Sequence, residues 1–158
     1  MIVVNPPDRK PLTCKLLIFM HVLLGIGAVF GGLVLVLDPS GGLIKRPITL
    51  LENSPFNNFL IPGIILFTML GVFPLIISFA LITKWEWLAP YTLNIFAEKH
   101  WSWTYSLYIG FALIIWVTVQ VFMIDHVSII HVVYILIGLS IQVVTLLPSV
   151  QNHYLRVR

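Results

Sequence analysis

The sequence predicts an all-α, polytopic membrane protein that folds as a four-transmembrane-helix bundle. Of its 158 residues, 59% are apolar and only 9% are charged, whereas about a quarter of the residues of a soluble domain are charged. Four apolar stretches are each long enough to cross a hydrocarbon core about 30 Å thick. These stretches lack the strict alternation of barrel strands, so helices are the way to satisfy their backbone in lipid. We expect a single transmembrane domain over residues 1–158.

The four predicted spans cover residues 15–37, 58–83, 103–124 and 127–148. Basic residues before the first span resemble the start of a signal peptide. Its apolar stretch is too long for that, however, and it ends in Asp-Pro-Ser-Gly at 38–41 rather than in a small-residue cleavage site. We therefore expect the first span to be retained as a membrane helix.

The first external loop, residues 38–57, contains a short apolar segment. Its opening Asp-Pro-Ser-Gly is typical of a turn. Pro47 then stands at the first position of a short helix that includes Leu50 and Leu51, and Asn-Ser-Pro at 53–55 ends it. We expect this segment to lie in the outer interface or to cap the bundle.

Glycine and proline mark two features of the first two spans. Gly27 and Gly31 have the small-xxx-small spacing of close helix approach, which we assign to packing within one chain rather than to a dimer face. Pro74 predicts a kink, because proline removes a backbone hydrogen bond and clashes with the preceding turn. Such a kink can mark a transporter site or simply serve packing.

The distribution of Lys and Arg predicts that both termini are cytoplasmic. Seven of these residues lie in the N-terminal tail, the middle loop and the C-terminal tail, and two lie in the first loop. Cytoplasmic loops carry the excess of Lys and Arg. The seven are Arg9, Lys10, Lys15, Lys84, Lys99, Arg156 and Arg158, and the two are Lys45 and Arg46.

The middle loop combines aromatic and basic residues. Such a mixture can bind RNA, but Glu86 and Glu98 offset Lys84 and Lys99, so we expect no nucleic-acid partner. Amphipathic aromatic side chains prefer the headgroup layer. We therefore predict an aromatic belt at the cytoplasmic interface, formed by Trp85, Trp87, Tyr91, Trp101 and Trp103.

Polar side chains inside or just beyond the spans are the candidate functional residues, because each costs free energy in lipid unless it has a partner. A rise of 1.5 Å per residue sorts them into two layers. No Asp, Glu, Lys or Arg lies deep in a span, which disfavours an ion-driven pump. The outer layer, which we expect to bind a ligand, comprises Asp38, Trp116, Gln120, Asp125, His131 and Tyr134, and the inner layer, which we expect to be structural, comprises His21, Tyr108 and Gln142.

The sequence offers no pattern for a cofactor, a metal or a catalytic residue. His21 and His131 are expected about 17 Å apart along the membrane normal, too far to flank one haem iron. Zinc requires three or four converging ligands, and the single Cys14 cannot form a C-x-x-C pair. The common hydrolase, metalloprotease and phosphate-loop motifs are missing from the sequence.

Gln120 and His131 are expected to face each other at equal depth. They belong to the third and fourth spans, which a very short loop at Asp125 and His126 makes antiparallel neighbours. An amide and a neutral imidazole can each donate and accept a hydrogen bond. We therefore predict a direct hydrogen bond between them, either as a structural pair or as part of a site.

The first external loop also carries a resemblance. The runs Asp-Pro-Ser-Gly at 38–41, Ser-Pro-Phe at 54–56 and Leu-Ile-Pro-Gly at 60–63 resemble those of a group of small bacterial four-helix membrane proteins. Trp116 and Gln120 fit the same pattern, and the similarity covers most of the chain. It implies a bacterial inner-membrane protein and carries no established activity. The chain lacks the paired cysteines of vitamin K epoxide reductases and the intramembrane carboxylates of sterol-isomerase-type bundles.

These observations favour a binding or accessory protein without catalysis, for a hydrophobic or amphipathic ligand such as a membrane lipid. A membrane-protein partner, including a second copy of the chain, is also open. One alternative is an enzyme acting on a lipid or isoprenoid at the outer leaflet, which requires Asp38, Gln120, Asp125 and His131 to converge on one cavity. Another is a small transporter subunit that works as an oligomer.

Overall fold

The computed structural model describes residues 10–45 and 47–156, and Arg9, Arg46 and Arg158 of the predicted charge bias lie outside them. The fold is all-α, as predicted, and four of its helices are long and apolar enough to cross a membrane. The chain is therefore a multi-pass membrane protein. The four helices are α1 (Leu12–Leu37), α2 (Leu60–Thr83), α3 (Trp101–Ile124) and α4 (Ile129–Leu146).

In the part of the chain that the structure describes, three short helices connect or extend the long ones. The predicted segment after Pro47 is a 3₁₀ helix at Ile48–Leu51, and a second 3₁₀ helix occupies Ala89–Leu93 in the middle loop. The α4 helix ends before Leu147, whose ψ of 137° is extended, because a residue that precedes proline is disfavoured in the helical region. Helix α5 (Pro148–His153) follows it.

The four long helices form a ring of antiparallel neighbours. Helix α1 packs along α2, and α3 packs along α4; contacts of α1 with α4 and of α2 with α3 close the ring. The turn between α3 and α4 is tight because Asp125 adopts a left-handed conformation, with φ of 50°. One end of the bundle, where α1 and α3 finish, is called the cavity end below. The other end, where α1 and α3 begin, is called the lysine end.

Glycines set the distance between α1 and α2. A Cβ atom on Gly32 would lie 2.6 Å from the backbone nitrogen of Phe67 and 2.8 Å from the carbonyl oxygen of Gly63. A Cβ on Gly25 would lie 3.0 Å from the carbonyl oxygen of Gly71. These contacts leave no room for a side chain, so the two backbones approach each other directly at both places.

The prediction that Gly27 and Gly31 mediate this approach is wrong. A Cβ on Gly27 would have no neighbour within 4 Å, and one on Gly31 would meet only the Leu66 side chain, at 3.6 Å. Both glycines turn toward a cavity that is described below.

Near Pro74, where the sequence predicts a kink, α2 contains a π-helical segment at Leu66–Val72 that ends two residues before the proline. In a regular α helix, positions eight residues apart are rotated by about 80° beyond two full turns. The π segment absorbs an additional residue, so Gly63 and Gly71 both face α1. The segment thereby matches the spacing of the glycine contacts on α2 to that on α1.

Candidate functional site

A cavity of about 200 Å³ opens at the cavity end of the bundle. The 3₁₀ helix lies against it through Leu50 and Leu51, so the apolar loop segment caps the bundle. All four long helices border this space, called the end cavity. Its other apolar side chains are Leu35, Ile44, Phe59, Pro62, Val119, Met123, Ile124 and Ile130, and its polar residues are Trp116, Gln120, His126, Ser128 and His131.

A second cavity of about 150 Å³, the central cavity, lies deeper in the bundle. Trp116 and Gln120 line both cavities, so the two spaces adjoin at these side chains. Gly27 and Gly31 form part of the wall, since their missing side chains leave the volume open. The remaining lining residues are Leu24, Ala28, Leu66, Leu70, Leu113, Val117 and Tyr134.

Hydrogen-bond donors at the two cavities have no partner among the described residues. The indole nitrogen of Trp116 is buried and has no hydrogen-bond partner among the described residues. His131 accepts the backbone N–H of Ser128 at its Nδ1, 3.1 Å away, as part of a capping box at the start of α4. The neutral ring therefore carries its hydrogen on Nε2. Two N–H donors and the amide of Gln120 thus border the same space.

The predicted hydrogen bond between Gln120 and His131 is not formed. Both side chains line the end cavity, yet no bond joins them in the part of the chain that the structure describes. The Nδ1 atom of His131 is used by the helix cap instead. The sequence predicts that the two residues lie at equal depth. It does not predict that the backbone N–H of Ser128 occupies Nδ1 of His131.

The two outer-layer carboxylates lie outside the cavities. Asp38 binds within its own turn, where it accepts hydrogen bonds from the Ser40 hydroxyl at 2.5 Å and from the Leu43 backbone N–H at 2.7 Å. The hydrogen bond from the Ser40 hydroxyl contributes most to lowering the pKa of Asp38, and the hydrogen bond from the Leu43 backbone N–H lowers it further. Asp125 is exposed in the α3–α4 turn. Of the predicted outer layer, the fold therefore brings together Trp116, Gln120, His131 and Tyr134.

The predicted inner layer does not form one hydrogen-bonded cluster among the described residues. His21 is fully buried and donates from Nδ1 to the carbonyl of Leu17, 2.9 Å away, while its Nε2 has no described partner. Gln142 packs beside Gly110. The hydroxyl of Tyr108 donates to the carbonyl of Leu93 at 2.8 Å, which ties α3 to the middle loop.

The predicted aromatic belt divides into exposed and buried members. Trp85 and Trp87 are 45% and 41% exposed and stack with their ring centroids 5.3 Å apart. Trp101 and Trp103 are only 1% and 2% exposed. The Trp103 indole donates to the carbonyl of Thr145 at 2.8 Å, so this residue joins α3 to α4 rather than facing lipid headgroups.

A third space, the lysine pocket, occupies the lysine end and has a volume of about 210 Å³. Sequence reasoning missed it, although it placed the middle loop and the C-terminal tail on one side of the membrane. The signal for it in the sequence is the concentration of Lys and Arg at that side, which also predicts the topology. The lining residues are Lys84, Glu86, His100, Tyr154, Leu155 and Arg156.

Comparisons of the chain with protein-family models, with curated proteins and with solved structures found no match. The chemistry of each space therefore follows from its own side chains. Over the described ranges 10–45 and 47–156, no group of three or more His, Cys, Asp or Glu residues is placed to hold a metal ion. The two adjoining cavities suit an apolar molecule with an uncharged polar group, and the lysine pocket suits an anion.

Proposed function

We propose that this protein binds a neutral, amphipathic membrane molecule in the end cavity and the central cavity. The observation that carries this proposal is the position of Trp116 and Gln120 at the junction of the two spaces. An unpaired buried N–H is costly in an apolar environment, and a ligand acceptor would satisfy it. The ligand's polar group would lie at the junction and its apolar part would fill the adjoining space.

The lining favours an uncharged polar group. No Asp, Glu, Lys or Arg belongs to the described lining of either cavity. The indole of Trp116 is a donor only, and the free Nε2 position of His131 is a donor in the neutral ring. A carbonyl, ether or hydroxyl oxygen would accept from these groups, whereas a carboxylate or phosphate would lack a compensating charge.

The volumes favour a slender ligand. An apolar cavity of about 150 Å³ is large enough for benzene, and the central and end cavities measure about 150 and 200 Å³. A ring-sized group or the end of one acyl or isoprenyl chain fits such spaces. A phospholipid with two full chains does not. The ligand class is thus a single-chain amphiphile or a ring with a chain.

The first helix supplies a lateral path to the central cavity. Gly27 is exposed, and a Cβ on this residue would meet nothing within 4 Å. Tyr134 on α4 is also exposed and lines the same cavity. A ligand would enter between α1 and α4 directly from the bilayer, which is where an amphiphile is concentrated.

We place the protein in the bacterial inner membrane with both termini in the cytoplasm, so that the end cavity faces the outer leaflet. The support is the bias of Lys and Arg toward the lysine end and the resemblance of the first loop. The alternative that the protein is an enzyme acting on this ligand has less support, because Asp38 and Asp125 do not border the cavity that Gln120 and His131 line. Accessory binding to another membrane protein remains compatible with this proposal.

Purification in a mild detergent, followed by mass spectrometry of the extracted lipids, tests the proposal. We expect a neutral single-chain or ring-bearing molecule to co-purify with the wild type in near-stoichiometric amount. Trp116→Phe, which keeps the ring but removes the N–H, and Gln120→Leu should each reduce the retained amount about 5- to 10-fold, the loss of one hydrogen bond.

Two matched substitutions serve as controls. Trp87→Phe changes a tryptophan at the lysine end, and Gln142→Leu changes a glutamine that lines neither cavity. Both variants should retain the molecule as the wild type does. Equal retention by all four variants, or a wild type that carries only bulk two-chain phospholipid, would exclude the proposed site.

A further inference from the structure

The lysine pocket is separate from the proposed ligand cavities and lies at the opposite end of the bundle. It brings together Lys84, which directly follows α2, and Arg156 in the C-terminal segment. Of its other residues, Glu86 is acidic, while His100 and Tyr154 are buried. Both cationic side chains at the pocket are accessible, since Lys84 is exposed and the Arg156 side chain is 41% exposed.

Tertiary contacts fix the positions of these two cations. Lys84 is the left-handed C-cap of α2, with φ of 52°. Its ammonium group donates to the carbonyl of His153 at 2.8 Å and lies 5.6 Å from the centre of the Tyr154 ring. The guanidinium of Arg156 lies over the ring of Tyr91, at 4.3 Å. The ammonium group of Lys84 therefore keeps N–H donors that these contacts do not use, and so does the guanidinium of Arg156 apart from its pair with Glu86, 3.8 Å away.

The C-terminal segment that carries Arg156 is joined to the middle loop by backbone hydrogen bonds. The N–H of His100 donates to the carbonyl of Tyr154 at 2.8 Å, and the N–H of Arg156 donates to the carbonyl of Glu98 at 2.9 Å. The hydroxyl of Tyr154 donates to the carbonyl of Leu81 at 2.7 Å. The pocket is thus a built feature of the fold and not a chance gap between mobile side chains.

Positive charge at this end is largely uncompensated. Lys10, Lys84 and Lys99 all donate to backbone carbonyls. Within residues 10–45 and 47–156, the pair of Arg156 and Glu86, at 3.8 Å, is the only ion pair. The lysine pocket itself holds two cations, Lys84 and Arg156, against one carboxylate, Glu86, and this excess of positive charge attracts an anion.

The surroundings of the pocket indicate that the anion belongs to a lipid. Trp85 and Trp87 flank Glu86 in the chain and are half-exposed, as expected for side chains in the headgroup layer. Basic groups at the end of membrane helices bind anionic headgroups from the adjacent leaflet. A volume of about 210 Å³ holds several water molecules or one phosphate group.

We infer that the lysine pocket binds the phosphate of an anionic phospholipid, with Lys84 and Arg156 as its charged contacts. Glu86 competes with that phosphate for Arg156, so it weakens binding. The acyl chains would remain in the bilayer beside the exposed tryptophans. This inference does not depend on the ligand proposed for the end and central cavities.

The test uses the whole protein in a neutral detergent and follows its thermal unfolding midpoint while short-chain phosphatidylglycerol is added. We expect a saturable rise in the midpoint, and no comparable rise with phosphatidylcholine of the same chain length. Lys84→Gln and Arg156→Gln should each weaken the apparent affinity for phosphatidylglycerol about 10-fold, as the loss of a charge-assisted hydrogen bond does. Glu86→Gln should strengthen it severalfold.

Lys45→Gln is the matched control, because Lys45 has φ of 51°, like Lys84, but lies at the cavity end. It should leave the affinity for phosphatidylglycerol unchanged. If Lys84→Gln does not fold, Arg156→Gln and Glu86→Gln still test the site in opposite directions. Equal responses to phosphatidylglycerol and phosphatidylcholine, or unchanged affinity in these variants, would overturn the inference. Inorganic phosphate that binds as tightly as the lipid would overturn its assignment to a phospholipid.

Discussion

The two ends of the bundle are held together in different ways. At the lysine end, side chains bind elements that are distant in sequence: Lys10 reaches the end of α2, and Trp103 reaches Thr145 on α4. At the cavity end, the side-chain hydrogen bonds of the described residues join groups no more than five positions apart. Asp38 within its turn and His131 at its helix cap are examples.

Because of this difference, we expect the lysine end to be the more rigid part of the bundle and the cavity end to be the more adaptable part. Bonds between distant elements hold the helices of the lysine end in one arrangement. At the cavity end, the backbone N–H of Phe59 donates to the carbonyl of Pro39 at 2.9 Å and so joins the ends of α1 and α2. No described hydrogen bond at this end joins these two helices to α3 or α4, so the separation of the two helix pairs can adjust to a ligand. A bundle anchored at one end and open at the other suits a binding protein that takes up a molecule from the bilayer.

The largest expected effect concerns which end faces the cytoplasm. In a Cys14→Ser background, Asn53→Cys and Ala97→Cys place exposed thiols at the cavity end and the lysine end. Asn53→Cys should react with an impermeant maleimide in intact cells, and Ala97→Cys only after permeabilisation. A cysteine at Ser102, at the start of α3, is unsuitable for this labelling because Ser102 is fully buried. The reverse labelling pattern would place the end cavity at the cytoplasmic leaflet and the lysine pocket at the outer leaflet.

The next largest effect compares tryptophans at the two ends. Trp103 is 2% exposed, and Trp103→Ala should lower the free energy of unfolding by about 3–5 kcal/mol. Trp116 already borders two cavities, so Trp116→Ala removes fewer contacts and should cost about half as much or less. Unfolding by a denaturing detergent in mixed micelles measures both. Equal losses would show that the two ends are equally well packed.

Two glycines of α1 separate packing from cavity lining. Gly32→Ala introduces a Cβ atom against the backbone of α2 and should cost about 1–3 kcal/mol, as overpacking does. Gly27→Leu enters open space and the central cavity, so stability should be retained while the co-purifying molecule is lost. A stability loss in Gly27→Leu as large as that in Gly32→Ala would contradict the assignment of Gly27 to the cavity wall.

The membrane helices were predictable because composition and length alone define them. The glycine contacts were not, since Gly27 and Gly31 have the same spacing as a packing motif, and only the rotation of α1 against α2 decides which glycines meet. That rotation depends on the π segment before Pro74. Its extra residue brings Gly63 and Gly71 to the same face of α2, toward α1. Pro74 predicts a kink in α2, but it does not predict which residues of α2 face α1.

The polar residues of the site were partly predictable for a similar reason. Depth along a helix follows from residue number, so Trp116, Gln120 and His131 could be grouped in advance. The direction of a side chain and the local partners that it finds do not follow from depth, as the turn of Asp38 illustrates. The lysine pocket depends on contacts between Lys84 and the C-terminal segment, which no local sequence pattern specifies.

The smallest expected effect is a pH dependence that arises from His100 at the lysine end. Burial chiefly lowers the pKa of His100 below its usual 6.5, and the nearby Arg156 and Lys84 charges lower it further, against an opposing effect of Glu86. The unfolded state therefore binds more protons at this residue near pH 6, so the contribution of His100 to stability is fully present above about pH 6.5 and declines as the pH falls below that value. His100 is the N-cap of α3, where its side chain accepts the backbone N–H of Ser102.

His100→Asn puts another good N-cap residue at this position, and asparagine does not titrate. Its thermal unfolding midpoint should fall less than that of the wild type between pH 7.5 and pH 5. Parallel pH profiles for His100→Asn and the wild type would show that acid acts elsewhere in the protein.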